Sequence, residues 1–311
     1  MFGLFGFGKK KQQHVGPAIT NAGSNQPAMS RAQEHQPKPV EPATFEVVAD
    51  MQTDPGCIRE TNEDSVKYFR PTDPAELTKK GVIAIVADGM GGHSAGEVAS
   101  RIATEVIKNV YYETDKDATE ALKSALNAAN HEIHKASLAD KALEGMGTTC
   151  AALVLHNGSA HCAYVGDTRL YLIRGGEIYV MTEDHSAVME MVNMGILTLE
   201  QARHHEDKNV IIRALGSQPE VEVSVWGEPF PVRLGDKFLL CSDGLSDLVS
   251  DDEIKKAVLA GGSHSSSENL IALAKERGGY DNVTVGILSI ENAGNPEIEA
   301  APETREVEIP A

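Results

Sequence analysis

Several apolar runs in the sequence end at an aspartate, with glycine before or after it. They are V-I-A-I-V-A-D-G at 82–89, A-Y-V-G-D at 163–167 and K-F-L-L-C-S-D-G at 237–244. Each run predicts a buried strand that delivers a carboxylate (Asp88, Asp167 or Asp243) to the rim of the core. A single Asp-Gly pair is typical of an ordinary turn. Three such strand ends in one chain favour a shared carboxylate site.

Two further acidic pairs add oxygen ligands to this set. Glu63-Asp64 lies in R-E-T-N-E-D-S at 59–65, and Asp281-Asn282 lies in G-G-Y-D-N-V-T at 278–284. Hard cations such as Mg²⁺ and Mn²⁺ prefer carboxylates, carbonyls and water, whereas zinc sites usually include His or Cys. Two such ions, roughly 3.5–4 Å apart, are a recurrent device for phosphoryl hydrolysis. The pattern therefore indicates a Mg²⁺ or Mn²⁺ site.

Arg59 lies a few residues before the Glu63-Asp64 pair. On an extended strand Arg59, Thr61 and Glu63 share one face, and Asp64 points to the other. A guanidinium beside a carboxylate site suits a substrate phosphate. The alternative is a surface salt bridge, which is the commoner fate of an arginine near a glutamate.

The elements that must position these residues combine strand and helix periodicities. Helical patterns cover 95–110, 117–138, 251–260 and 267–277. Strand patterns come in blocks, with three in succession through 148–181, which favours antiparallel pairing and an α+β fold. The predicted strands are Phe45–Met51, Val82–Ala87, Thr148–Leu155, Ala160–Val165, Tyr171–Ile173, Val221–Trp226, Lys237–Cys241 and Val283–Ile290.

Composition divides the chain into three parts. Residues 1–44 are rich in Pro, Gln, Asn and Gly and predict a disordered arm, and 292–311 predict a flexible acidic tail. Residues 45–291 remain as one folded body. That body carries nearly all of the −18 net charge, which argues against nucleic-acid binding. The four cysteines form no C-x-x-C pair and predict reduced thiols in a soluble, cytoplasmic protein.

Taken in order, the motifs resemble the metal-dependent Ser/Thr protein phosphatases of the protein phosphatase 2C family, in its bacterial branch. The resemblance implies a sandwich of two antiparallel β-sheets flanked by α-helices, with a helical flap at 187–212. The motifs are R-E-T-N-E-D-S (59–65), V-A-D-G-M-G-G-H-S-A-G-E (86–97), G-T-T (147–149), Y-V-G-D-T-R (164–169), T-E-D-H-S (182–186), R-A-L-G (213–216), C-S-D-G-L-S-D (241–247) and G-G-Y-D-N-V-T (278–284).

The resemblance also implies roles for individual residues. Asp88 would bridge two Mn²⁺ or Mg²⁺ ions, and the carbonyl of Gly89 would help ligate one of them. Asp167, together with Asp243, would hold a weaker third ion. Asp64 matches an acidic position that supports the same site. The implied metal positions are Glu63, Asp64, Asp88, Gly89, Asp167, Asp243 and Asp281.

Arg59 would grip the substrate phosphate. Eukaryotic members place a histidine, the proposed general acid, directly after the Asp-Gly, and here Met90 occupies that position. The first histidine that follows is His93, which either donates a proton to the leaving oxygen or only caps or packs. In the flap, two short helices are expected around Gly195. Most of the apolar side chains of the flap are expected to fill the core. They are Met189, Met191, Met194 and Ile196.

The implied reaction is hydrolysis of phosphoserine and phosphothreonine in proteins by a metal-activated water. One alternative is a catalytically silent phosphoprotein-binding module of the same fold. Another is a metallohydrolase that acts on nucleotides or small phosphates. A cysteine phosphatase is excluded, because no C-x₅-R occurs. The absence of G-x-x-x-x-G-K-[ST] argues against a P-loop nucleotidase.

The expected partners are phosphorylated proteins produced by a cognate Ser/Thr kinase, and the expected state is a monomer. Residues 1–11 combine Phe2, Leu4, Phe5 and Phe7 with three lysines. This segment either contacts an anionic membrane surface or a partner, or is a frayed start.

Overall fold

The computed structural model describes residues 45–91 and 95–292. The predicted arm at 1–44, nearly all of the predicted tail at 292–311, and His93 lie outside the described residues. The strands are β1 (Phe45–Asp54), β2 (Asp64–Phe69), β3 (Val82–Met90), β4 (Gly147–Thr148), β5 (Cys150–His156), β6 (Ser159–Val165), β7 (Arg169–Arg174), β8 (Glu177–Val180), β9 (Ser224–Val225), β10 (Phe230–Pro231), β11 (Lys237–Cys241) and β12 (Val283–Asn292).

Helices lie between these strands along the chain, and a 3₁₀ turn at Lys141–Leu143 follows the longest helix. None of the helices in the described part of the chain has the length and apolar character required to span a membrane. The helices are α1 (Pro74–Lys80), α2 (Ala95–Glu113), α3 (Ala118–Ala139), α4 (Ala187–Asn193), α5 (Leu199–Arg203), α6 (Asp243–Ser246), α7 (Asp251–Ala260) and α8 (Ser263–Glu276).

The strands form two antiparallel sheets. The five-stranded sheet has the order β1-β12-β11-β7-β8. The seven-stranded sheet has the order β10-β6-β5-β3-β2, with β4 paired to β3 and β9 paired to β6. The chain first passes from the larger sheet to the smaller at the short β6–β7 connection, 166–168, and does so again between β10 and β11.

Three apolar clusters separate four layers of secondary structure. The layers are α2 with α3, the seven-stranded sheet, the five-stranded sheet, and α7 with α8. Between the sheets, Val82, Ala84 and Val86 of β3 pack with Leu240 of β11 and other buried residues of both sheets. The opposite face of β3 packs on α2 and α3. The outer face of the five-stranded sheet packs on α7 and α8. Because side chains alternate along a strand, a strand buried on both faces reads as an unbroken apolar run.

The predicted α+β sandwich of two antiparallel sheets flanked by helices is confirmed. Several local predictions were wrong. The β3 strand continues through Asp88 and Gly89 to Met90, because Gly89 and Met90 pair with β4. The predicted 148–155 strand is broken at Thr149 into β4 and β5. Strands β2, β8 and β10 and helix α1 were not predicted.

Candidate metal centre

The topology brings the predicted acidic residues to one end of the sandwich. Asp64 and Asp88 are paired opposite each other at the start of β2 and near the end of β3. Asp243 follows β11, and Asp281 precedes the partner strand β12. Asp167 lies between β6 and β7, and β7 is itself a neighbour of β11. The shared location therefore follows from strand order and register.

Asp64 connects the two sheets. Its buried carboxylate oxygen Oδ2 accepts hydrogen bonds from Ser242 Oγ at 2.8 Å and Thr284 Oγ1 at 2.6 Å. Asp64 belongs to the seven-stranded sheet, and both hydroxyl groups belong to segments of the five-stranded sheet. This oxygen is occupied by two donors, which suits the supporting role that the resemblance implies for Asp64.

Asp88 and Asp243 lie at the centre of the group. The two carboxyl groups are close enough to interact, and, beyond the effect of burial, the charge of Asp243 contributes to the raised pKa of Asp88. Asp243 is the first residue of the short helix α6. The carbonyl of Asp88 accepts hydrogen bonds from the hydroxyl of Thr148 and the main-chain N–H of Thr149, both at 2.8 Å. The G-T-T segment therefore fixes the main chain that carries Asp88.

Gly89 is required by close main-chain packing. Its N–H donates to the carbonyl of Glu63 at 3.1 Å. A Cβ atom at this position would lie 2.1 Å from the carbonyl oxygen of Gly96 and 2.5 Å from that of Glu63. Any side chain would therefore force β3 away from the Glu63 segment.

Glu63 is held by Asn282 rather than by a strand. The side-chain oxygen of Asn282 accepts from the Glu63 main-chain N–H at 2.8 Å. Its amide nitrogen donates to the carbonyls of Pro55 at 3.1 Å and Thr61 at 3.0 Å. The sequence placed Asn282 beside Asp281 as a candidate ligand pair. The structure shows instead that Asn282 fixes the 55–63 loop against the start of β12.

Arg59 lies in this loop and pairs with Asp281. Its Nη2 atom is 2.7 Å from Asp281 Oδ2, and the two side chains keep 48% and 37% of their surface exposed. The predicted shared face with Glu63 is wrong, because residues 55–63 form turns and bends rather than an extended strand. The expected salt bridge is present, with Asp281 in place of Glu63.

Asp167 is almost fully buried, at 8% exposed. Its Oδ1 atom and Oε1 of Glu63 are buried without a hydrogen-bond partner in the described part of the chain. No ion pair joins Asp64, Asp88, Asp167 or Asp243 to a lysine, arginine or histidine of the described residues. These carboxyl groups therefore lack the cationic partners that buried charges usually require.

Burial and mutual repulsion raise the pKa of the central carboxyl groups. Burial is the largest cause in each case, and neighbouring carboxylates add to it. The pKa rises to about 7 for Asp64, about 8 for Asp167 and about 6 for Asp243. The pKa of Asp88 is also raised well above its usual range. A bound cation would reverse this repulsion.

These residues fit a hard divalent ion. No three His, Cys, Asp or Glu side chains of the described residues are placed so that they could hold a metal ion together. Mg²⁺ does not need three such side chains, because it keeps several waters and binds through one or two carboxylates. Two unpartnered buried oxygens and an all-oxygen donor set meet that requirement, and they provide no thiolate or imidazole for zinc.

The flap consists of α4 and α5 around Gly195, as the sequence predicts. Two ion pairs connect it to the body: Arg203 Nη2 lies 3.0 Å from Asp251 Oδ1, and Lys208 pairs with Asp247. The prediction that its apolar side chains mostly fill the core was wrong for Met194 and Ile196, which are 71% and 64% exposed.

The chain matches the family model described as Protein phosphatase 2C over residues 61–275. It is 37% identical over 243 residues to serine/threonine phosphatase stp of Listeria monocytogenes, covering 76% of this chain and 93% of that protein.

Solved structures are also similar. The serine/threonine phosphatase PstP/Ppp of Mycobacterium tuberculosis is 36% identical, with a TM-score of 0.71 over 79% of this chain and 99% of that one. A catalytic domain of PstP in complex with two manganese ions is 34% identical, with a TM-score of 0.68 over 80% of this chain and 100% of that one.

The raised pKa values predict how the stability of the metal-free protein depends on pH. A carboxyl group whose pKa is higher in the folded state stabilises the fold below its unfolded pKa of about 4. This stabilisation is lost as pH rises through the folded values of about 6 to about 8. The melting temperature in EDTA should therefore fall between pH 5.5 and 8, and Mn²⁺ should raise it more at pH 8 than at pH 5.5.

Differential scanning calorimetry of the wild type and Asp167→Asn measures this effect. The variant removes one of the repelling carboxyl groups, so its melting temperature in EDTA should vary less with pH. A metal-free melting temperature that rises steadily from pH 5.5 to 8 contradicts the prediction.

Proposed function

Since the chain belongs to the protein phosphatase 2C family and is a metal-dependent Ser/Thr protein phosphatase, we propose which residues hold the ions and the substrate phosphate. Asp88 and Asp243 form the centre of a two-ion Mn²⁺ or Mg²⁺ site. Glu63, Asp281 and the carbonyl of Gly89 complete it, directly or through waters. The observation that supports this most strongly is the buried, unpartnered Oε1 of Glu63 beside carboxyl groups that have no cationic partner.

The ions, when bound, would lower the pKa of a water that serves as the nucleophile, and they would neutralise charge on the phosphoryl oxygens. Asp88, near the end of β3, and Asp243, at the start of α6, would hold this site between the two sheets. Asp64 would act from behind it by fixing the sheets to each other through Ser242 and Thr284. The reaction is then direct hydrolysis, with no phosphorylated enzyme residue.

Arg59 is proposed to bind the substrate phosphate. A guanidinium has five N–H donors in a planar fork, so one can contact Asp281 while others face a phosphate. The pairing with Asp281 would aim the side chain, and its 48% exposure leaves it accessible to a substrate. His93 is proposed to protonate the leaving serine or threonine oxygen, although it lies outside the described residues.

A weaker third ion is proposed at Asp167 and Asp243. The support is the unpartnered Oδ1 of Asp167 and the repulsion between Asp167 and Asp243. The relative crystallised with manganese contains two ions. The third site would therefore fill at higher metal concentration than the other two.

The proposed substrates are phosphoproteins made by a cognate Ser/Thr kinase. We further propose that the enzyme acts as a monomer in the cytoplasm and that residues 1–11 contact an anionic membrane surface or a partner. The support for this contact is the apolar set Phe2, Leu4, Phe5 and Phe7, which is followed by three lysines.

Substitution of Asp243 tests the metal site. Asp243→Asn should lower Mn²⁺-dependent hydrolysis of a phosphothreonine peptide by more than about 100-fold, because even outer-shell partners of a metal ligand typically contribute about 10–100-fold. EDTA should abolish wild-type activity. Asp252→Asn, an exposed position on α7, is the matched control and should leave the rate unchanged. Mn²⁺ binding without any turnover in the wild type would instead favour the silent binding module.

Substitution of Arg59 tests the phosphate contact. Arg59→Ala should raise the KM for a phosphothreonine peptide by about 10- to 100-fold, the equivalent of the roughly 1.5–3 kcal/mol of a hydrogen bond to a charged group. Arg59→Lys should recover part of the loss, because it restores the charge without the fork. Arg233→Ala, at an exposed position between β10 and β11, is the control. An unchanged KM in Arg59→Ala would leave the Asp281 salt bridge as the only role of Arg59.

A further inference from the structure

His185 binds both main-chain polar groups of Gly166, the residue before the candidate third-ion ligand Asp167. It lies between β8 and α4 and is 8% exposed. Its ring atom Nδ1 accepts a hydrogen bond from the main-chain N–H of Gly166 at 2.9 Å. Its own main-chain N–H donates to the carbonyl of Gly166 at 3.0 Å. The main chain of Gly166 is therefore fixed on both sides by one residue.

The contacts around the ring define its protonation state. Because Nδ1 accepts a hydrogen bond, the proton of the neutral ring is on Nε2, which donates to Ser224 Oγ at 3.0 Å. The ring also stacks on Tyr164, with centroids 5.2 Å apart and planes at 15°. Burial lowers the pKa of His185, and the charge of Arg213 lowers it further. The ring is thus neutral and is held in one orientation.

Gly166 begins the connection that carries the chain from one sheet to the other. Asp167 is the next residue, and its Oδ1 is buried without a partner in the described residues. Gly166 has a φ of +99°, and a Cβ at this position would lie 2.4 Å from Cβ of Thr149. The direction of the Asp167 carboxylate therefore depends on a backbone conformation that His185 holds in place.

The same residue closes the base of the flap. The carbonyl of His185 accepts from the N–H of Ile212 at 2.9 Å, and the N–H of Ala187 donates to the carbonyl of Val210 at 2.9 Å. Ser186 and Ile211 form a β-bridge between these two contacts. The two ends of the flap thus meet at the residue that holds Gly166.

We infer that His185 is a positioning residue whose Nδ1 atom, by holding Gly166, orients the Asp167 carboxylate toward a divalent cation and connects that site to the base of the flap. The inference rests on the proposed role of Asp167. If His185 only filled the core, a substitution that mimics Nδ1 and one that mimics Nε2 would have equal effects. A positioning role requires the acceptor on the Nδ1 side.

Replacement of His185 by two amides separates these cases. Asparagine can place its oxygen near the Nδ1 position and accept from Gly166, whereas glutamine reaches toward the Nε2 position and Ser224. Isothermal titration of the full chain with Mn²⁺ should show two tight ions and one weaker ion in the wild type and in His185→Asn. His185→Gln should keep the tight ions and weaken the third by about tenfold or more, in the range found for outer-shell partners. Ser224→Ala is the matched control and should keep all three.

Three titration results for the variants would overturn the inference. They are equal weakening in His185→Asn and His185→Gln, an unchanged third ion in His185→Gln, and a third ion that persists in Asp167→Asn. A wild type that binds only two ions would also overturn the inference. If that wild type still hydrolyses a phosphopeptide, the proposed two-ion function stands. Loss of tight Mn²⁺ binding and of hydrolysis in the wild type would instead contradict the proposed site itself.

A second measurement applies if the variants do not fold. In the ¹⁵N-labelled wild type, the Nδ1 resonance of His185 should have the shift of an unprotonated acceptor. It should also move with Mg²⁺ in the concentration range of the third ion. A protonated Nδ1, or one that does not respond to Mg²⁺, contradicts the inference.

Discussion

Repulsion among carboxyl groups at one end of the sandwich is the constraint on which the site depends. Asp64, Asp88, Asp167 and Asp243 are brought together by strands of both sheets, and no lysine or arginine of the described residues forms an ion pair with them. Carboxyl groups that lie close together in a poorly solvated position either stay protonated or exchange their protons for a bound cation. The raised pKa values correspond to the protonated carboxyl groups of the metal-free protein. The all-oxygen donor set is suited to a bound cation.

Neutral donors, rather than cations, hold these acids in place. Hydroxyl groups of Ser242 and Thr284 bind Asp64, and the amide of Asn282 fixes the loop that carries Glu63. Thr148 and Thr149 hold the main chain of Asp88. Neutral donors orient a carboxylate without cancelling its charge, so the negative charge stays available for metal ions. Short motifs of Ser, Thr, Asn and Gly therefore accompany the buried acids, whereas the more exposed Asp281 pairs with Arg59.

Much of the fold and the acidic set could be predicted from the sequence, because β3 and β11 are buried on both faces and therefore form unbroken apolar runs. The missed elements depend on other signals. In β2, Val66 and Tyr68 face the interior, whereas Ser65 and Lys67 meet Ser100 and Glu105 of α2, so the strand alternates over only six residues. Helix α1 is short, and its signals are the capping Asp73 before Pro74 and the terminal Gly81. The partners of Arg59, Asn282 and His185 could not be predicted, because each contact joins segments far apart in the sequence.

Anomalous scattering from a crystal of the full chain grown with Mn²⁺ tests the account most directly. It predicts two strong manganese peaks on either side of the Asp88 carboxylate, within reach of Asp243, Asp281 and Oε1 of Glu63. A third, weaker peak beside Asp167 is expected at high metal concentration. A map with no manganese at Asp88, or with manganese bound only elsewhere on the acidic surface, would contradict it.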